Sequence, residues 1–141
     1  MTEQADAPAP QGGVVTHFAI VGSRNWPDDG AVERLVAWMA KNYPGLTIVS
    51  GGARGVDTMA ERAAWKYKLP ILSFPANWEK YGRRAGFVRN KDIVENADLV
   101  AAFWDGRSPG TKHTIGLAAQ AGKLYHVYTP DDTTSGGVPS D

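Results

Sequence analysis

Leu46-Thr47-Ile48-Val49-Ser50-Gly51-Gly52-Ala53-Arg54-Gly55-Val56-Asp57 runs from a short apolar stretch, through glycines, into a segment whose Val56, Met59, Ala60 and Ala63 share one helical face. A buried strand feeding a helix through a glycine turn is the repeating unit of a parallel α/β fold. At such a junction the backbone N–H groups and the positive end of the helix dipole face the space above the sheet. Glycine there lets an anion approach with no Cβ in the way. Gly51, Gly52, Ala53, Arg54, Gly55 and Asp57 are therefore candidate phosphate-binding residues, with a plain tight turn as the alternative. The spacing matches neither the dinucleotide fingerprint nor the Lys-Ser/Thr phosphate loop, so it names neither NAD nor ATP.

The unit recurs on both sides of that stretch. Upstream, His17-Phe18-Ala19-Ile20-Val21 reads as a strand that runs into Gly22-Ser23-Arg24. A helix follows over Asp29–Asn42, where Val32, Leu35, Val36 and Met39 form one stripe and Pro44-Gly45 ends it. Downstream, residues 70–74 and 98–103 read as strands three and four, 111–121 as a helix, and Leu124–Tyr128 as strand five after the turn at Gly122. This rhythm predicts a single three-layer Rossmann-like α/β domain, with a mainly parallel five-stranded sheet in the order 3-2-1-4-5 and helices on both faces. Strand order reverses between strands one and four, which is where open α/β sheets take their ligands. The loops after strands one, two and four converge there.

Two of those loops add chemistry to the first. Gly22, Ser23 and Arg24 offer a close approach, a hydroxyl and a guanidinium fork suited to phosphate, unless Arg24 instead pairs with an acid such as Asp28. Trp104, Ser108, Gly110 and Thr111 belong to a third small-residue loop that opens a helix, with Ser108 and Thr111 as donors or caps. Residues 76–88 have no clean period and precede a short helix over 89–96, so they read as a long binding loop or lid. Within 77–91, Trp78 and Phe87 stand among five basic residues; they either stack on bases or pack on the core. Trp38 and Trp65 lie on helices and read as core or interface residues.

Composition narrows the function classes. Fifteen basic and fifteen acidic side chains cancel, so nothing but a local patch could gather a polyanion. The absence of cysteine removes thiol nucleophiles and thiolate metal sites, and His17, His113 and His126 are too scattered to predict a metal centre. No apolar run approaches the ~20 residues of a membrane span and no secretory signal is legible, so a cytoplasmic protein without membrane contact is expected. Residues 1–14 and 130–141 have the small, polar, proline-containing composition of flexible tails, leaving 15–129 as the domain.

Val21-Gly22-Ser23-Arg24, the stretch from Ser50 to Asp57, the stretch from Gly82 to Asn90, and Ser108-Pro109-Gly110-Thr111 occur in one order that resembles the SLOG superfamily. That group of Rossmann-like domains includes the DprA (Smf) proteins and the LONELY GUY phosphoribohydrolases; the pattern is most like its small YspA-like, cpYpsA-related branch. The resemblance implies a pocket for a nucleotide, a nucleotide derivative or a single-stranded DNA end. It adds Arg89 and Asn90 to the wall and implies a homo-oligomer, dimer or higher. One departure stands out. The phosphoribohydrolases follow their Gly-Thr with a catalytic glutamate where this chain has Thr114, and threonine cannot activate water as a carboxylate does. The expectation is a domain that senses or sequesters a nucleotide-derived phosphate ligand, held as a ligand and not as a redox cofactor. A DprA-like single-stranded DNA binder is the second reading. A phosphoribohydrolase drawing its acid from Asp57, Asp105 or Glu79 is the third, and no catalytic residue is assigned.

Overall fold

A computed structural model describes residues 14–130. The tails expected at 1–14 and 130–141 lie, apart from Val14 and Pro130, outside the described residues.

Five strands, β1 (His17–Gly22), β2 (Thr47–Ser50), β3 (Ile71–Ser73), β4 (Leu99–Phe103) and β5 (Leu124–Tyr128), form one parallel sheet in the order 3-2-1-4-5. Five helices connect them: α1 (Asp29–Asn42), α2 (Val56–Lys66), α3 (Trp78–Tyr81), α4 (Ala85–Glu95) and α5 (Pro109–Gln120). Register is continuous through the centre, with Phe18 beside Leu99 and Gly22 beside Phe103.

Successive strand residues point to opposite faces, and here both faces are covered. Phe18, Ile20, Ile48, Leu99, Ala101 and Phe103 pack beneath α1 and α2, meeting Leu35, Met39 and Val56. Ala19, Val21, Val49, Val100 and Ala102 look the other way, toward Ile93 and Val94 of α4 and Ala118 of α5. The small residues on that second face let α4 and α5 lie close to the sheet. Trp26, which carried no signal in the sequence, is 3% exposed and meets Phe103 edge-on at 5.3 Å between centroids. Trp38 packs against the first core beside Tyr43 and Tyr125, whereas Trp65 is 81% exposed.

Two expectations are corrected. Residues 76–88 are not a loop: Asn77 caps α3 by accepting from the Lys80 N–H at 3.0 Å, a 3-10 turn over Gly82–Arg84 follows, and α4 begins at Ala85, four residues before the expected 89. No apolar stripe marked this stretch because α3 buries no residue and Gly82, at φ 58°, breaks the chain direction. Asp28 does not take Arg24. It caps α1, accepting from the Ala31 N–H at 3.3 Å, and pairs with Arg34 at 3.7 Å.

Candidate functional site

At the carboxyl ends of β1, β2 and β4 lies an open cleft of about 860 Å³. Its floor depends on two glycines. A Cβ on Gly22 would fall 2.5 Å from the Phe103 carbonyl oxygen and 2.6 Å from Val56 Cγ2, so only glycine lets the end of β1 press against both β4 and the start of α2. Gly55, at φ +79°, caps α2, and a Cβ there would lie 2.5 Å from Arg24 Cα. The loops after β1 and β2 are thus packed backbone to backbone, and the Val56 N–H donates to the Ser23 carbonyl at 3.4 Å.

α4 ties these loops to the third one. Arg89 Nη1 donates to the Gly51 carbonyl at 2.8 Å and Nε to Asn90 Oδ1 at 3.0 Å. Asn90 Nδ2 in turn donates to the Gly110 carbonyl at 3.2 Å and lies 3.2 Å from His113 Nδ1. The loop after β4 is also braced, both by the loop after β1 and from within. Ser23 Oγ accepts the Asp105 N–H at 3.1 Å, and Asp105 Oδ1 accepts the N–H groups of Arg107 and Ser108 at 2.8 and 2.9 Å. Trp104 Nε1 donates to the Ser108 carbonyl at 3.0 Å, and Ser108 Oγ caps α5.

Electrostatics differ sharply between the two carboxyls of the cleft. Asp57 is 6% exposed, and that burial pushes its carboxyl up to about 6 despite the Ala53 N–H at 3.1 Å and the Arg89 charge. The Ser108 and Arg107 N–H groups hold Asp105 below the usual carboxylate range. Burial lowers the Arg89 guanidinium and the charge of Arg24 adds to the effect, while Asp57 opposes it.

Gly22, Arg24, Ala53, Asp57, Arg89, Asn90, Ser108, Gly110 and Thr111 all line the cleft. Ser23, Gly51, Gly55 and Trp104 stand behind that lining as the contacts above describe. Gly52 faces Ser73 and Pro75, and Arg54 is exposed outside the cleft. Trp78, Arg83 and Phe87 join the lining from the 77–91 stretch, as does Arg107 from the loop after β4. Asn25 and Ile93 line it unforeseen; the position of Asn25 directly after Arg24, in the turn leaving β1, is the signal that could have found it. Thr114 also lines the cleft, but its hydroxyl is committed to the Gly110 carbonyl at 3.1 Å. Among the described residues no group of three or more His, Asp or Glu could hold a metal ion, and no helix is long and apolar enough to cross a membrane.

The profile of a family described as YAcAr, the YspA, cpYpsA-related SLOG family, matches residues 16–81. The Gene 61 protein of Mycobacterium phage D29 is 39% identical over 110 residues, covering 73% of this chain and 88% of that protein. Among solved structures, DNA processing protein A (DprA) from Streptococcus pneumoniae superposes with a TM-score of 0.65 at 22% identity, over 82% of this chain and 50% of that one. This chain therefore spans half the length of that protein. DprA from Helicobacter pylori, described for its single-stranded DNA binding mode, gives 0.57 at 21% identity over 98% of this chain and 77% of its own. The molybdenum cofactor carrier protein MCP from Chlamydomonas reinhardtii gives 0.61 at 15% identity, over 87% of each chain. At such identities these three share the fold.

Proposed function

The chain belongs to the YspA, cpYpsA-related SLOG family, and from that premise we propose that its cleft binds a nucleotide or nucleotide-derived phosphate ligand, as a sensing or sequestering domain. One observation carries the reading. In a chain with no net charge, four arginines from four separate segments, Arg24, Arg83, Arg89 and Arg107, line one cleft beside the amino end of α5. Guanidinium forks and helix amino ends both favour phosphate oxygens. Phosphate sits against Ser108, Gly110 and Thr111, with Arg24 and Arg89 neutralising it. Trp78 and Phe87, 57% and 51% exposed on the same cleft, supply apolar faces for a base.

Native mass spectrometry of the purified full chain, followed by calorimetry against a nucleotide panel, tests the reading. One ligand per chain is expected, and Arg24→Gln and Arg107→Gln each weaken it about tenfold, the usual worth of a charge-assisted hydrogen bond. A folded protein that binds nothing in the panel removes the reading.

The exposed aromatics among arginines also favour a second one, single-stranded DNA, which the Helicobacter pylori relative binds by its description. Steep loss of affinity with salt identifies that ligand, because several phosphates would release their counterions. Cleavage of a nucleotide is the weaker reading, since Thr114 supplies no carboxylate and spends its hydroxyl on Gly110.

A further inference from the structure

Asp57 is a buried acid beside the Arg89 charge in the lining of an anion-seeking cleft, and its placement asks for a role. It comes from the first turn of α2, while Arg89 comes from α4 and Arg24 from the loop after β1; all three line the cleft. A Cβ on Gly51 would meet Arg89 Nη1 at 2.7 Å and Asp57 Oδ2 at 2.8 Å, so the missing side chain is what allows guanidinium and carboxyl to share that space.

We propose that Arg24, Arg89 and Asp57 form a single oxyanion subsite in which a protonated Asp57 carboxyl donates a hydrogen bond to the bound phosphoryl oxygen. This deepens the nucleotide reading and rests on it, since it adds Asp57 to the two arginines that neutralise the phosphate. Oδ2 accepts the Ala53 N–H at 3.1 Å and is the carboxyl oxygen that shares the space above Gly51 with Arg89 Nη1. The charges that bear on Asp57 are Arg89, across from α4, which favours the carboxylate, and Glu61, one turn along α2, which opposes it; the Ala53 and Gly51 N–H groups also favour the carboxylate. An anion arriving beside Arg24 and Arg89 offsets the Arg89 charge that favours the carboxylate, and itself repels a carboxylate. Burial already holds Asp57 at about 6, so the group takes up its proton as the anion binds. By linkage the reverse holds equally: a proton on Asp57 tightens the anion.

Sulfate, which keeps its charge between pH 5 and 7.5, is the probe, used with the full chain. Affinity is expected to rise about tenfold on going from pH 7.5 to pH 5, an ordinary size for coupling between two sites. Calorimetry near pH 6.5 in two buffers of different ionisation enthalpy should show proton uptake on binding. Asp57→Asn, which keeps an acceptor for Ala53, should bind sulfate with no such pH dependence. Absence of sulfate binding, absence of proton uptake, or an Asp57→Asn protein that keeps the full pH dependence each overturns the subsite. The buffer experiment needs no variant, so a misfolded Asp57→Asn does not rescue the idea. Proton-linked sulfate binding with no nucleotide bound would sink the nucleotide reading alone, and nucleotide binding without proton uptake would sink the subsite alone.

Discussion

Arg89 donates from α4 to the Gly51 carbonyl at 2.8 Å, joining that helix to the loop that leaves β2. Replacing it with methionine keeps much of the stem but leaves that carbonyl without its donor and Asp57 without its nearest cation. Arg89→Met is expected to lower stability by about 1–3 kcal/mol, the cost of orphaning a partly buried partner. Urea midpoints measure it, with the exposed Arg107→Gln as the comparison; equal midpoints would mean that the brace contributes nothing.

Gly55→Ala should be far worse than its chemistry implies. Its φ of +79° is costly for any residue with a Cβ, and that atom would lie within about 2.6 Å of Arg24 Cα and of the Arg24 and Ser23 carbonyl oxygens. Gly82→Ala shares the positive φ but meets nothing within 4 Å. Thermal denaturation should rank Gly55→Ala well below Gly82→Ala, the latter losing about 1 kcal/mol from the backbone alone. Similar melting temperatures would place the two loops farther apart than described.

Asp57 makes stability fall as pH rises. Its carboxyl titrates near 3.8 in the unfolded chain and at about 6 in the folded one, so between those values the folded state holds the extra proton. Stability is greatest below the unfolded value and declines through the folded one, by about 3 kcal/mol at most. Asp57→Asn removes this component, so its stability relative to the parent should improve between pH 4 and pH 7.5. Denaturant melts across that range check the sign, and a variant that loses ground as pH rises contradicts it.

Trp78→Ala and Phe87→Ala should separate binding from folding. Both side chains are more than half exposed, so stability should change little. Each ring that stacks on a base should cost about 1–3 kcal/mol of binding when removed. Titration of the nucleotide identified by mass spectrometry reads the loss directly. Unchanged affinity in both variants would put the base elsewhere.

The alternation of strands and helices was legible because it follows from burial on both faces of the sheet: α1 and β5 have the bounds that their apolar pattern predicts. The three loops were legible for a related reason, since glycine before a helix marks close approach. What stayed hidden was the part shaped by the cleft. Trp78 and Phe87 do not repeat with a helical period because they line the opening and not the core, and α4 buries Asn90 where an apolar residue would have kept the stripe intact. Trp26 was hidden differently. It sits in the connection between β1 and α1, its Nε1 donating to the Asp28 carbonyl at 2.9 Å, and periodicity has nothing to say about such a connection.

The glycines also give the domain two unlike poles. Gly22 and Gly55, on the carboxyl side of the sheet, are hemmed in, the first by the Phe103 carbonyl and the Val56 side chain and the second by the Ser23 and Arg24 backbone, and neither loop can change length without displacing the other. Gly45 and Gly122, in the turns that enter β2 and β5, have nothing within 4 Å of where a Cβ would stand. Foreign segments, such as an epitope or a fluorescent reporter, should therefore be accepted beside Gly45 or Gly122, opposite the cleft, and would give a handle on the protein that leaves its binding face free.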